Sequence, residues 1–80
     1  MNKIEIYTRP VCAYCDRAKQ FFVSQGLNFI EHNTATSPDK FIEMLKRSSQ
    51  RTFPQIFIDD HLVGGFDDLL KLKHAQSLTN

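Results

Sequence analysis

The chain begins with a strand-like segment, a pair of cysteines and a helix-like segment, and this order limits what it can fold into. Residues 3–7 alternate polar and apolar side chains, as in a strand, whereas residues 16–25 place apolar side chains at helical spacing before Gly26. Residues 28–32 form a second, weaker strand pattern. A strand, a helix and a strand in succession require a parallel strand pair joined by a right-handed crossover.

The rest of the chain predicts two more helices and a hairpin. A capping serine, a proline and an acid occupy residues 37–39, and apolar residues at helical spacing follow them, which is typical of a helix start. Residues 56–58 and 61–63 predict two short strands, which are joined by a tight turn at Asp59 and Asp60.

The end of this hairpin leads into a third helix. Two glycines at residues 64–65 break the last strand, and Asp67 is expected to cap the helix that follows. We therefore predict an α/β fold with a four-stranded mixed sheet in the order β-α-β-α-β-β-α and three helices on both faces, in a single domain spanning residues 1–80. Because Glu5 and Tyr7 alternate with apolar residues, we expect the outer face of the first strand to be only partly covered.

Composition excludes several classes of function. The 80 residues are 41% apolar and 24% charged, which is ordinary for a globular protein, and the net charge of +1 gives no reason to expect nucleic acid or membrane as a partner. No apolar run is long enough to span a membrane, and the amino terminus lacks the pattern of a signal peptide. We therefore expect the protein in the cytoplasm, where a catalytic disulfide is more common than a structural one. A monomer is also expected.

Cys12 and Cys15 are the only cysteines in the chain. Residues three apart on the first turn of a helix have Cα atoms about 5–5.5 Å apart, a separation that suits a disulfide. Cys12 falls at the expected N-cap, where main-chain N–H groups point at its sulfur and lower the pKa of a thiol from its usual value of about 8.5. We predict that Cys12 is the nucleophile of a redox site and that Cys15, one turn inside the helix and less accessible, is the resolving thiol.

Two other interpretations of the cysteines are weaker. They could be buried and inert, but their spacing and their place at a helix start favour redox chemistry. They could also supply two of the four ligands that tetrahedral zinc needs. His32, His61 and His74 are scattered singly, however, and we expect His32 and His61 to face solvent from strands. We therefore expect no metal site.

A second candidate site precedes the third strand, at residues 51–54, Arg-Thr-Phe-Pro. A proline cannot donate to a strand ladder, so its place there calls for another reason. A cis bond between Phe53 and Pro54 would turn the N–H and C=O groups of Phe53 outward, where they could pair with the main chain of a peptide disulfide. An ordinary trans proline at a strand start is the alternative.

A third candidate site covers residues 64–68, Gly-Gly-Phe-Asp-Asp. Glycines allow a close approach of the main chain, and the N-terminus of the following helix can bind an anion. A carboxylate held by main-chain N–H groups, beside an amine held by Asp67, would fit the head group of an α-amino acid. A simple turn with a helix cap is the alternative.

Together these three segments resemble the glutaredoxins, in particular the small bacterial dithiol type. The resemblance rests on residues 6–15, 51–58 and 64–69 and covers nearly the whole chain. It implies a thioredoxin fold, a cis proline at Pro54, and glutathione as substrate and reductant, with glutathionylated or disulfide-containing proteins as partners. The residues that it implies for glutathione binding are Arg9, Tyr14, Arg51, Thr52, Phe53, Pro54, Gln55, Gly65, Phe66, Asp67 and Asp68.

Three residues depart from the pattern of that family. Ala13 replaces the usual proline, Phe53 replaces valine, and Phe66 stands where cysteine is common. In related proteins, loss of the proline accompanies a [2Fe–2S] cluster held between two subunits with glutathione thiols, so an iron–sulfur carrier is a secondary hypothesis. A thioredoxin-like carrier reduced by a flavoprotein instead of glutathione is another alternative. No cofactor is expected to be bound obligatorily.

Overall fold

The structure, a computed structural model, describes residues 2–75. It contains seven elements in the predicted order: β1 (Ile4–Thr8), α1 (Ala13–Ser24), β2 (Ile30–Asn33), α2 (Pro38–Ser48), β3 (Gln55–Ile58), β4 (His61–Gly64) and α3 (Phe66–Ala75). The apolar patterns misplace the starts of two elements: α1 begins three residues before Asp16, as the expected N-cap at Cys12 requires, and β2 begins two residues after Asn28. Of the helices described, none combines the length and apolar character needed to cross a membrane.

The four strands form one mixed sheet in the order β2-β1-β3-β4. β1 pairs with β2 in parallel and with β3 in antiparallel fashion, so it lies at the centre with a partner on each edge. β3 and β4 form the predicted hairpin. Its turn residues Asp59 and Asp60 have φ values of 51° and 68°. Positive φ at both turn residues matches the twist of the two strands, and aspartate tolerates that conformation better than most residues do.

Helices cover both faces of the sheet, as predicted. On one face, α1 and α3 pack against β1 and β3 through a fully buried cluster that includes Ile6, Phe22 and Leu69. On the other face, α2 packs through Met44 against Tyr7 and neighbouring aromatic rings. Burial of each large apolar side chain contributes about 1.5–3 kcal/mol, so these two layers hold the sheet between the helices.

The expectation that the outer face of β1 is only partly covered is wrong. Glu5 is 5% exposed and Tyr7 is fully buried, because α2 lies across this face and supplies polar partners. Arg47 Nη2 donates to Glu5 Oε1 at 3.1 Å, and Arg47 Nη1 donates to the Tyr7 hydroxyl at 2.8 Å. The Tyr7 hydroxyl in turn donates to Glu43. The alternating polar residues of β1 therefore form a buried polar cluster with α2.

His32 belongs to the same cluster, so the expectation that it faces solvent is also wrong. Its side chain is 11% exposed, and Nε2 lies 3.0 Å from Glu5 Oε2. Its ring also packs against Tyr7, with the centroids 4.7 Å apart. The side-chain oxygen and nitrogen atoms of Glu5, His32 and Glu43 come within 4.8 Å of one another. Positive charge reaches this group from Arg47, which pairs with Glu5, and from Lys40, which pairs with Glu43.

The buried cluster shifts the pKa values of its members. Burial alone would raise the pKa of Glu5, but hydrogen bonds from Arg47 and His32 outweigh burial and hold it below the ordinary value of 4.5. Burial, together with the hydrogen bond to Glu43, raises the pKa of Tyr7 to about 12. Arg47 also lies over the Phe57 ring, with Cζ 3.9 Å from the centroid. The Arg47 guanidinium thus neutralises the Glu5 carboxylate, donates to the Tyr7 hydroxyl and stacks on the Phe57 ring.

Replacing Arg47 by methionine should destabilise the protein. The change keeps an apolar stem but leaves the Glu5 carboxylate buried without its guanidinium, and we expect the free energy of unfolding to fall by about 2 kcal/mol at pH 7. Urea denaturation measures this difference. Lys46→Met is the matched control, because Lys46 is the exposed neighbour on the same helix; its effect should stay within about 0.5 kcal/mol.

The same pair of variants has a defined pH dependence. Because the folded protein lowers the pKa of Glu5, the stability from this carboxylate is present above its unfolded pKa and is lost as the pH falls through its folded pKa. The difference in the free energy of unfolding between wild type and Arg47→Met should therefore decrease as the pH is lowered from 7. A difference that is constant with pH would show that Arg47 contributes through packing alone.

Candidate active site

Cys12 and Cys15 lie where the chain passes from β1 into α1. Cys12 is the N-cap of α1, with extended backbone angles, and its Sγ accepts a hydrogen bond from the Cys15 N–H at 3.2 Å. The two residues are joined by a disulfide, with their Cα atoms 5.2 Å apart. Cys12 is 8% exposed and Cys15 is 1% exposed. The structure thus places the cysteines at the predicted separation, with Cys12 the more accessible.

Polar contacts hold the end of β1 in place just before the cysteines. The Thr8 carbonyl accepts hydrogen bonds from the N–H of Thr34 at 3.0 Å and from its hydroxyl at 2.9 Å. The Thr8 hydroxyl donates to Glu31 Oε2 at 2.7 Å, and Lys19 Nζ donates to the same oxygen at 3.1 Å. Burial raises the pKa of Glu31, but these two donors outweigh it and lower the pKa overall. Contacts from β2 and α1 thereby fix the point from which residues 9–11 lead to Cys12.

A cleft of about 240 Å³ brings most of the predicted binding residues together. The Phe53–Pro54 bond beside it is cis, as the resemblance implied. The cleft is lined by Tyr14, Phe53, Pro54, Gly65, Phe66, Asp67 and Asp68. Tyr14, between the two cysteines in sequence, is 53% exposed and connects the cleft with the dithiol. Three segments that are far apart in sequence therefore form one surface.

Two arginines lie beside aromatic rings at this surface. Arg9 Cζ is 5.8 Å from the centroid of the Phe53 ring, which places a positive charge beside a residue that lines the cleft. Arg17 Cζ is 5.1 Å from the centroid of the Tyr14 ring. Arg17 is not among the site residues predicted from the sequence. The signal that could have found it is its spacing, because residues three apart on a helix, such as Tyr14 and Arg17, are neighbours on its surface.

Besides Arg9, three of the predicted binding residues do not line the cleft. Arg51 and Thr52 are exposed on the loop before Phe53. Gln55 is fully buried, and its Nε2 donates to the Gln50 carbonyl at 2.8 Å. Its side-chain N–H therefore stabilises the loop from within, while its Oε1 atom is buried without a hydrogen-bond partner among the described residues.

The start of α3 differs from the prediction that Asp67 caps it. The helix begins at Phe66, and the Gly65 carbonyl accepts its first hydrogen bond, from the Leu69 N–H at 3.0 Å. Asp68 Oδ2 accepts from the Gly65 N–H at 3.1 Å, which is the reach-back contact of a capping box. Asp68, the third residue of α3, therefore caps the helix, and Asp67 stays exposed at the cleft.

The fold and the site together define a class of protein. A mixed sheet in this order, with a Cys-x-x-Cys pair at the N-cap of α1 and a cis proline before β3, is a thioredoxin fold that carries a dithiol site. Comparison with known proteins identifies the family within that class. The family model described as Glutaredoxin matches residues 4–63, and the chain belongs to the glutaredoxin family.

Curated relatives and solved structures agree with this assignment. Glutaredoxin 3 of Escherichia coli strain K12 is 47% identical over 72 residues, covering 90% of this chain and 87% of that protein. A glutaredoxin of Neisseria meningitidis is 40% identical over 79 residues, covering 98% of this chain and 93% of that protein. Glutaredoxin 1 of Francisella tularensis, solved in complex with cacodylate, superposes with a TM-score of 0.76 at 35% identity. The match covers 94% of this chain and 95% of that one.

A further solved structure is a glutaredoxin–glutathione complex from buckwheat. It superposes with a TM-score of 0.80 at 26% identity and covers 98% of this chain and 73% of that one. The family membership and the disulfide between Cys12 and Cys15 support a thiol–disulfide oxidoreductase.

Replacing Gly64 by alanine should disrupt the cleft side of α3. Gly64 has φ of 122°, and an added Cβ would lie 2.8 Å from Asp68 Cγ, so the variant is strained and also displaces the cap of α3. We expect the free energy of unfolding to fall by about 2–4 kcal/mol. Gly26→Ala is the control, because Gly26 has φ of 68° with nothing near its Cβ position, and should cost about 1 kcal/mol. Equal losses in urea denaturation would contradict the contact with Asp68.

Proposed function

We propose that this protein is a glutathione-dependent thiol–disulfide oxidoreductase that reduces protein–glutathione mixed disulfides and protein disulfides. The observation that carries the proposal is the position of Cys12, at the N-cap of α1 and two residues before Tyr14, which lines a cleft shared with Phe53 and Asp67. The cytoplasm, where glutathione keeps thiols reduced, is the expected location.

The proposed reaction on a glutathionylated protein is an exchange of sulfur bonds. The Cys12 thiolate attacks the glutathione sulfur, a new S–S bond forms, and the protein sulfur leaves as a thiolate that takes a proton from water. A second glutathione thiolate then attacks the glutathione sulfur bound to Cys12, which releases oxidised glutathione and restores the Cys12 thiolate. Helix N–H groups favour the thiolate over the neutral thiol, so the attacking form is available near neutral pH.

The reaction on a protein disulfide uses both cysteines. Cys12 attacks one sulfur and forms a mixed disulfide with the protein, and the Cys15 thiolate then attacks the Cys12 sulfur and releases the second protein thiol. The product is the Cys12–Cys15 disulfide, which two glutathiones reduce. The short distance between the two Cα atoms, 5.2 Å, allows this second attack without movement of the helix.

The charges around the cleft suit glutathione, which has a carboxylate at each end and an amine at one. Asp67 is exposed in the first turn of α3 and could accept from the amine, while the free N–H groups of that turn could donate to the neighbouring carboxylate. Arg9, over the Phe53 ring, could pair with the other carboxylate. Phe53, whose main chain the family pattern assigns to the cysteine of glutathione, lines the same cleft as Asp67.

Substitution of each cysteine by serine should separate the two reactions. Cys15→Ser should retain turnover of a glutathionylated substrate and lose reduction of a protein disulfide, because only the second reaction needs a resolving thiol. Cys12→Ser should lose both. Coupled assays with glutathione, glutathione reductase and NADPH measure the two rates. Equal loss in both variants on the glutathionylated substrate would contradict the assigned roles.

Replacing Asp67 by asparagine should weaken glutathione binding. The change removes the charge that faces the amine, so we expect KM for glutathione to rise by about tenfold. Asp39→Asn is a matched control, because Asp39 is an exposed acid in the first turn of α2. Its replacement removes the same favourable interaction between an acid and a helix N-terminus. An unchanged KM in Asp67→Asn, or the same rise in both variants, would rule out the proposed contact.

A further inference from the structure

Val11 has a conformation and an exposure that the fold does not explain. It comes directly before Cys12, its φ is 53°, and its side chain is 100% exposed. A left-handed backbone is unfavourable for a β-branched residue, because Cβ crowds the following carbonyl, and the cost is about 1–2 kcal/mol. A fully exposed side chain gains no packing to offset this cost. Glycine or asparagine would be more stable at this position.

The surroundings of Val11 indicate where an incoming partner would touch it. Cys12 is only 8% exposed, so a disulfide that reaches its sulfur has to press closely against the residues around it. Val11 does not line the cleft that Tyr14 and Phe53 share with α3. A group bound in the cleft and a group resting on Val11 therefore occupy different parts of the surface around Cys12.

We propose that Val11 is a specificity-determining residue that contacts the protein half of a disulfide substrate. The inference deepens the proposed function and rests on it: the cleft takes the group that is exchanged onto Cys12, while Val11 offers an apolar contact to the polypeptide around the leaving sulfur. When a protein substrate docks, the two methyl groups of the Val11 side chain are removed from water, which favours formation of the complex. A small disulfide has no polypeptide to place there and gains nothing from Val11.

A single-turnover experiment tests the proposal without a glutathione cycle. Fully reduced protein is mixed with insulin or with hydroxyethyl disulfide. Cys12 thiolate attacks one sulfur, the other leaves as a thiolate, and Cys15 closes the Cys12–Cys15 disulfide, so two electrons pass to the substrate. The rate of disulfide formation is followed by alkylation and mass spectrometry. Because both substrates need the same two cysteines, the ratio of their second-order rate constants isolates the contact with the protein.

The decisive variant is Val11→Asn. Asparagine adopts the left-handed conformation more readily than valine does, so the loop before Cys12 keeps its path while the apolar side chain is replaced by a polar one of similar size. Val23→Asn is the matched control, since Val23 is also an exposed valine but lies near the other end of α1. We expect the insulin rate of Val11→Asn to fall about fivefold, with its hydroxyethyl disulfide rate within about twofold of wild type. Val23→Asn should change neither rate.

The outcomes separate this inference from the proposed function. A wild-type protein that reacts with neither substrate would overturn the proposed function, and the inference with it. A reactive wild type with an unchanged insulin rate in Val11→Asn would overturn the role of Val11 alone. Equal losses on both substrates would also overturn it, because they would show an effect on Cys12 itself. A urea midpoint of Val11→Asn at or above that of wild type would confirm that the variant is folded.

Discussion

The enclosure of β1 is the constraint on which the rest of the structure depends. This strand has a partner on each edge and helices on each face, so every polar group on it must find a partner inside the protein. Arg47 meets that requirement for Glu5 and Tyr7, and it ties α2 to the sheet by doing so. The enclosed strand then ends at Thr8, which hydrogen-bonds to Glu31 of β2 and to Thr34. The dithiol therefore follows directly from the end of the enclosed strand.

The sequence was sufficient for the order of the elements and for the place of the dithiol. Strand alternation, helix start signals and turn residues each act over a few neighbours, and they agreed with one another along the chain. The N-cap position of Cys12 followed from the same local rules. The cleft was predictable only through the family resemblance, because Tyr14, Phe53 and Asp67 belong to separate segments and their meeting depends on the tertiary fold.

Three errors in the predictions, at β1, His32 and the start of α3, share one physical cause. Alternation in β1 favours a solvent-facing side, but a polar side chain on a strand can also be buried when a distant residue provides its hydrogen bond, as Arg47 does for Glu5. His32 was misplaced for the same reason. The cap of α3 was assigned to Asp67 because an acid commonly precedes a helix, whereas Asp68 reaches back from inside it. Local patterns specify which groups are polar and leave open what they bind.

The cap of α1 has a consequence for energetics, because one atom serves both the helix and the reaction. Cys12 Sγ accepts from the Cys15 N–H in the disulfide form, and as a thiolate it would carry a full negative charge at the same helix end. Only the folded chain has that helix end. By a closed thermodynamic cycle, any preference of the helix for the thiolate favours reduction of the folded protein and, by the same amount, favours folding of the reduced chain. Electron transfer and conformational stability are therefore two measurements of a single coupling free energy.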